Sequence, residues 1–370
     1  MDGKNRIADR IAVYGILILL LAGGIAAFVF SRDFSGTEKR YLAEAPSRFS
    51  LTEWTLNDDL ETYLSDQIPF REQLVGLDSR MQVWTGRATQ LEAWPTGDAI
   101  VEQPVKADIR LLTDRTGRMR EIAGMIPCRF LVPPTAGMLR MDEMTPLRKA
   151  LYEEEAAVYD KLTGEEGFIP LREAFAAAGT EVFYRTDHHW NDSGVQLAYR
   201  AFCGAAGLEP ADPAMFTRME YTPFSGSTQA RAGLPAARAD TLVCMEPVFP
   251  VTMDVQGESE TYDHLVFPEK ADTWDGYEVY LNGNHGMLTV RHPGAEGGKL
   301  LVFRDSFASS IIPYLSANYG EITAVDVRYY PGTFRDALEE AGEPDEILFL
   351  YSLDSLANDT SIARKLRGKE

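Results

Sequence analysis

Arg304-Asp305-Ser306-Phe307 follows the apolar run Leu300-Leu301-Val302-Phe303 and precedes Ala308-Ser309-Ser310-Ile311-Ile312, so a serine sits where a buried strand turns into a helix. At such a turn the hydroxyl stands clear of the backbone, and the free N–H groups of the helix start can donate to a developing oxyanion. Far upstream, Asp187-His188-His189-Trp190 supplies an imidazole with a carboxylate two positions away. A serine hydroxyl is a poor nucleophile until a base takes its proton, and the base needs a third group to fix its tautomer. Residues i and i+2 of an extended segment face the same side, so Asp187 can hold one ring nitrogen of His189 while the other faces Ser306. His188 then points elsewhere, toward packing or a supporting hydrogen bond. The competing reading is that Asp187 caps a turn and both histidines are structural.

Other residues could complete such a site. Asn282-Gly283-Asn284-His285-Gly286 is a turn cluster, read either as a plain loop or as the source of two further oxyanion donors, the Gly283 N–H and the Asn284 side-chain amide. Arg304 can pair with a carboxylate, face a substrate anion or form a surface salt bridge. Asp305 reads as a helix N-cap rather than the acid of a triad, because adjacent side chains diverge. The run Gly226 to Arg231 is a candidate substrate loop. Trp274, Tyr277 and Tyr280 read as packing, with a sugar-stacking platform as the alternative. No metal site is expected, since adjacent histidines rarely converge on one ion and His264, His285 and His292 have no tight ligand spacing. The chemistry requires no dissociable cofactor.

The elements that must hold these groups alternate. Arg129 to Pro134 reads as a buried strand ended by prolines, and Leu147 to Tyr159 as a helix with Thr145 as N-cap and Pro146 at its first position. Val182-Phe183-Tyr184 reads as a strand leading into the histidine pair, after which Asn191 or Asp192 caps a helix carrying Val195, Ala198, Tyr199 and Phe202. Strand and helix alternate again at 300–303, 306–315, 322–327, 333–341 and 347–351. This pattern argues for α/β architecture, a parallel sheet with flanking helices and its chemistry at the C-terminal ends of the strands. Residues 205–298, rich in Gly, Pro, Thr and Asp, read as a β-rich insertion with strands near 241–245, 248–255 and 278–281.

The uncharged stretch from Ile11 to Phe30 is about long enough to cross ~30 Å of hydrocarbon as a helix. Lys4, Arg6 and Arg10 precede it, which places residues 1–10 in the cytoplasm and the rest outside the membrane. A cleaved signal peptide is the competing reading, with small residues near Ala27. Residues 31–100 read as a spacer followed by two amphipathic helices broken at Pro69, their apolar stripe read as core, with a partner-binding face as the alternative. The α/β domain then occupies 101–370. A formal net charge of −20 opposes nucleic-acid binding, since a phosphate backbone would meet a like-signed field. The three cysteines are widely spaced and odd in number, so no disulfide framework is indicated.

Tyr184-Arg185-Thr186-Asp187-His188-His189-Trp190, Asn282-Gly283-Asn284-His285 and Arg304-Asp305-Ser306-Phe307 with Asp326-Val327-Arg328-Tyr329-Tyr330 resemble the DHHW-type proteins, relatives of the alginate O-acetylation proteins. The resemblance implies an SGNH hydrolase-like, flavodoxin-like fold, with Asp187, His189 and Ser306 as acid, base and nucleophile. It also implies an envelope polysaccharide as acetyl acceptor; with the anchor, the reading is a membrane-anchored extracytoplasmic O-acetyltransferase or acetylesterase acting on a cell-envelope or exopolysaccharide glycan, with a membrane protein supplying the acyl donor. A non-catalytic glycan-binding or scaffold protein of an envelope assembly is the alternative. Arg304 stands where the usual Gly-Asp-Ser element has glycine.

Overall fold

The uncharged N-terminal run has its lowest-energy form as a helix, because a helix satisfies its own backbone hydrogen bonds where water is absent. In the computed structural model it forms most of α1 (Asp2–Val29), whose Arg10–Val29 portion is long and apolar enough to cross a membrane. The structure describes residues 2–35, 38, 40–46, 54–89, 92–234 and 238–367. These divide into two compact units, residues 1–91 with 230–235, and residues 92–229 with 236–370.

In the first unit α1 is followed by a short antiparallel pair, β1 (Phe34–Ser35) and β2 (Arg40–Tyr41), and by helices α2 (Trp54–Gln67) and α3 (Arg71–Trp84). Pro69 breaks the two helices apart as the sequence requires, with Phe70 left-handed at φ 62° between them. The segment after α1 is tied down. Arg40 grips Asp66 at 2.8 and 2.6 Å and Glu38 at 2.8 Å, while the Tyr63 hydroxyl donates to the Ala27 carbonyl at 3.0 Å. Residues 36–37, 39 and 47–53 of the expected spacer lie outside the described residues. The apolar stripe of α3 is not core: Phe70, Leu74, Leu77, Met81 and Trp84 are exposed, and the helix buries its opposite side at Ser79.

The second unit opens with the hairpin β3 (Ala93–Thr96) and β4 (Ala99–Glu102), then α4 (Ile109–Ala123), β5 (Cys128–Leu131), α5 (Ala136–Leu139), α6 (Pro146–Thr163), β6 (Phe168–Ile169), α7 (Arg172–Ala178) and α8 (Asp192–Ala206). Next come β7 (Phe216–Phe224), β8 (Asp240–Pro247), β9 (Thr252–Val255), β10 (Thr261–Tyr262), β11 (Met287–Arg291), β12 (Gly297–Arg304), β13 (Tyr319–Val325) and β14 (Glu346–Leu350). Eight of these strands make one sheet in the order β10-β9-β11-β13-β12-β14-β5-β6, parallel from β13 to β6 and antiparallel from β10 to β13. The expected α/β class with a parallel-dominated sheet is therefore present. The β-rich segment divides in two, β7 and β8 pairing as a separate hairpin while β9, β10 and β11 extend the sheet.

Apolar runs buried on both faces form the central strands. Leu300 and Val302 of β12 face one core with Phe202 of α8 and Phe175 of α7, whereas Leu301 and Phe303 face another with Met119 of α4 and Leu162 of α6. Helices thus cover both faces. The chain leaves β12 for β13 on one side and returns past it to β14 on the other, so the C-terminal end of β12 is the topological switch point where α/β sheets open a crevice.

Two expected strands are turns instead. Thr180–Val182 is a 3-10 turn and Phe183 makes only a single bridge to Trp190, because the chain must reverse within 185–189. Gly276–Val279 is likewise 3-10, since Leu281 and Asn282 take positive φ of 57° and 58° and the chain turns there.

Candidate active site

Strand β12 ends at Arg304, and Asp305 caps the 3-10 turn Ser306–Ser310 by accepting from the Phe307 N–H at 3.0 Å. The other Asp305 carboxylate oxygen accepts from the Ser352 N–H at 2.8 Å, which fastens the turn to the end of β14. Ser306, half-buried at this switch point, keeps an N–H with no acceptor among the described residues. The hydroxyl is held at a fixed place beside a free donor.

The Asp187 to Trp190 segment is a tight loop closed by the Phe183–Trp190 bridge. Asn191 caps α8 by accepting from Ser193 and Gly194, so the helix start fixes the end of the loop. The His189 Nε2 lies 2.8 Å from Ser306 Oγ, and its Nδ1 lies 2.5 Å from Asp187 Oδ1. Asp187 Oδ1 also accepts from the His189 N–H at 3.0 Å, and Oδ2 accepts from the Ser227 N–H and hydroxyl at 2.7 and 3.0 Å. A carboxylate with these donors sets the tautomer, with Nδ1–H facing Asp187 and the Nε2 lone pair facing the serine.

Electrostatics follow from burial. Burial pulls the His189 imidazole below its ordinary value, and the neighbouring His188 adds to this against the pull of Asp187. Burial pushes the Asp187 carboxyl up, but the two histidines and the bonds donated to it outweigh this and hold it well below the usual carboxylate range. The backbone and hydroxyl donors remain when His189 is neutral, so the pair at neutral pH is a carboxylate beside a neutral imidazole.

An aromatic frame fixes the imidazole plane. Tyr277 stacks on His189 with ring centroids 3.9 Å apart, and Phe307 lies against it at 4.7 Å. The Tyr277 hydroxyl and the Trp190 N–H both donate to Ser310 Oγ, at 3.0 and 2.9 Å, which ties the frame around the imidazole to the turn carrying Ser306. Tyr277 and Tyr280 are buried, so packing is their role, while Trp274 is exposed.

Gly226 stands where a Cβ would lie 2.2 Å from the Asp187 Cβ and 2.6 Å from the Thr186 carbonyl, so only glycine lets this loop approach the carboxylate. The same loop is pinned through Thr186, whose hydroxyl accepts from the Gly226 N–H at 3.0 Å and donates to Asp240 at 2.6 Å. The candidate substrate loop Gly226 to Arg231 therefore carries a partner of Asp187. The sequence places Ser227 in a candidate substrate loop and Tyr277 in packing or a sugar platform, and shows neither as a support of Asp187 or His189; the glycine before Ser227 is the only local signal for the first.

The remaining candidates are dispersed. His188 is half-buried, its Nδ1 3.2 Å from Ser227 Oγ. Arg304 is fully buried rather than on the surface; it donates to Ser309 Oγ at 2.7 Å, and burial pulls its guanidinium down from the ordinary value. The Gly283 N–H donates to the Tyr280 carbonyl at 3.1 Å, so it closes the turn at φ 97° and is not open to an oxyanion. The Asn284 side chain is half-buried, on a loop that meets the C-terminal edge of β13 where the Asp326 N–H donates to the Gly286 carbonyl. Donor atoms of Asp187, His188 and His189 lie within 4.8 Å of one another, the spacing of a metal cluster. Each is engaged by a protein hydrogen bond, and a metal ion there would have to break the Asp187–His189 contact.

Residues 145–325 match the family described as DHHW protein. Among solved structures, a DHHW family protein from Eubacterium siraeum is 19% identical with a TM-score of 0.62, the match covering 75% of this chain and 99% of that one. PatB1 from Bacillus cereus, solved with a sulfonyl adduct, is 18% identical with a TM-score of 0.59, covering 75% of this chain and 98% of that one. At such identities the likeness is one of fold. No curated protein matches the sequence significantly.

Proposed function

We propose that this chain, a DHHW-family protein by the match of its residues 145–325, is an acyl-transfer enzyme that moves or removes an O-acetyl group on a cell-envelope or exopolysaccharide glycan. The observation that carries this reading is the unbroken contact from Asp187 through His189 to Ser306, at 2.5 and 2.8 Å. The glycan acceptor is supported by the resemblance of the Asp-His-His-Trp and Asp-Ser motifs to the DHHW-type proteins, relatives of the alginate O-acetylation proteins.

Ser306 Oγ attacks the acetyl carbonyl as its proton passes to His189 Nε2, and the oxyanion forms beside the Ser306 N–H. Collapse breaks the bond to the donor oxygen, which leaves with the proton from His189, and acetyl-serine remains. A sugar hydroxyl, or water in the esterase variant, then gives its proton to His189 and attacks the acetyl-serine, which releases Ser306. Asp187 holds Nδ1–H throughout and stabilises the imidazolium.

The charge order Lys4, Arg6, Arg10 before the apolar helix supports an anchor with the second unit outside the cell. A membrane protein would then supply the acyl donor. The test is labelling of the full chain with a fluorophosphonate, together with hydrolysis of p-nitrophenyl acetate with and without an oligosaccharide acceptor. Labelling lost in Ser306→Ala and in His189→Ala is expected. A folded protein that neither labels nor turns over overturns the enzyme reading and leaves the scaffold.

A further inference from the structure

Helix α3 carries apolar residues at Phe70, Leu74, Leu77, Met81 and Trp84, alternating spacings of four and three that place all five on one face. Among the described residues of its unit nothing covers this face, with Phe70 77% and Trp84 87% exposed. The opposite face is occupied, since Ser79 is buried and Val75 meets the Gly233 segment. The exposed stripe is therefore not half of the unit's own core.

Its location says what covers it. Tyr63 of α2 donates to the Ala27 carbonyl at the outer end of α1 and packs its ring 4.9 Å from Phe28. Arg32, just past α1, pairs with Glu72 in the first turn of α3 at 3.1 Å, and its N–H donates to Gln67 at 2.9 Å. A groove of about 460 Å³ runs from Ala26 and Phe30 of the α1 end to Ile68, Pro69 and Phe70 at the start of α3. The apolar surface of the membrane-length helix thus ends beside the start of α3, across a groove that Arg32, Gln67, Glu72 and Gln73 also line, and the stripe has aromatic rings at both ends with exposed Arg80 and Arg87 near its far end. Aromatic rings beside cations mark the level of lipid headgroups.

We infer that α3 lies in the membrane–water interface, its apolar stripe against the outer leaflet, as a second lipid contact beside the α1 span. This rests on the anchor reading of α1. The occupant is the bilayer itself, and the contact fixes the first unit at the membrane surface.

The test uses the full chain in phosphatidylethanolamine–phosphatidylglycerol vesicles whose acyl chains are brominated. Trp84→Phe should remove the larger share of the quenchable tryptophan emission, and the emission lost should be blue-shifted relative to exposed tryptophan. Protein that resists carbonate extraction yet shows the same quenching with and without Trp84 overturns this inference and leaves the anchor standing. Release by carbonate overturns the anchor reading and this one with it. A Leu77→Cys variant that crosslinks to itself quantitatively in the same vesicles assigns the stripe to a second copy of the chain and also overturns the proposal.

Discussion

Tyr277 lies flat on His189, the two rings 8° from parallel and 3.9 Å apart, so the plane of the imidazole is set by a residue whose own hydroxyl donates to Ser310. Tyr277→Phe keeps the ring and loses the bond to Ser310, which should lower stability by about 1 kcal/mol and leave turnover within a few-fold. Tyr277→Leu removes the stack; kcat should fall about tenfold or more, and the midpoint of the pH–rate profile should rise as water reaches the imidazole. Equal behaviour of the two variants would confine Tyr277 to a packing role.

In the proposed mechanism the working form of His189 is the neutral one. Burial holds its proton affinity below the ordinary 6.5, so the base stays deprotonated as pH falls through that value. The ascending limb of kcat/KM against pH should have its midpoint under 6.5. A midpoint above it would mean that the Asp187 attraction outweighs burial.

Asp187→Asn should reduce kcat by roughly 10³- to 10⁴-fold with little change in thermal stability, because the amide can still accept yet no longer holds Nδ1–H against a charge. Ser306→Ala and His189→Ala should fall to the same residual rate, and the double variant no further. Additive losses in steady-state assays would separate the two groups mechanistically.

Gly226→Ala drives a methyl group into Asp187 and the Thr186 carbonyl, which must move aside. Turnover should drop at least about tenfold, as a displacement near 1 Å at a reacting group does, with KM for the acyl donor less affected. Unchanged kinetics would show that the loop has room the structure does not display.

Glu155 on α6 accepts from the Val105 N–H and the Thr135 hydroxyl, both at 2.9 Å, yet burial pushes its carboxyl up to about 7 from an ordinary 4.5. The folded value lies above the unfolded one, so its contribution to stability is whole below pH 4.5 and is lost as pH rises through about 7. Denaturant unfolding should show the wild type losing on the order of 3 kcal/mol relative to Glu155→Gln between pH 4.5 and 8. Parallel pH curves for the two proteins would refute this.

The central frame was legible in the chain because local and tertiary forces agree there. The Leu300 to Phe303 run is buried on both faces, Thr145-Pro146 opens α6, and Thr333 with Asp336 makes a reciprocal cap at Phe334–Ala341. The motif residues Asp187, His189 and Ser306 could be singled out for their types. Their supports could not: Ser227 reaches Asp187 across 40 residues, and Tyr277 belongs to a turn that reads as a strand by composition. Period alone also misassigned α3, since an amphipathic stripe looks the same whether protein or another apolar phase lies against it.

Because Asp305 is tethered to the backbone of Ser352, the turn that carries Ser306 is completed by a segment 47 residues further along the chain. Until residues 346–352 fold, the Asp305 carboxylate keeps only its bond from the Phe307 N–H, and the turn is held from one side alone.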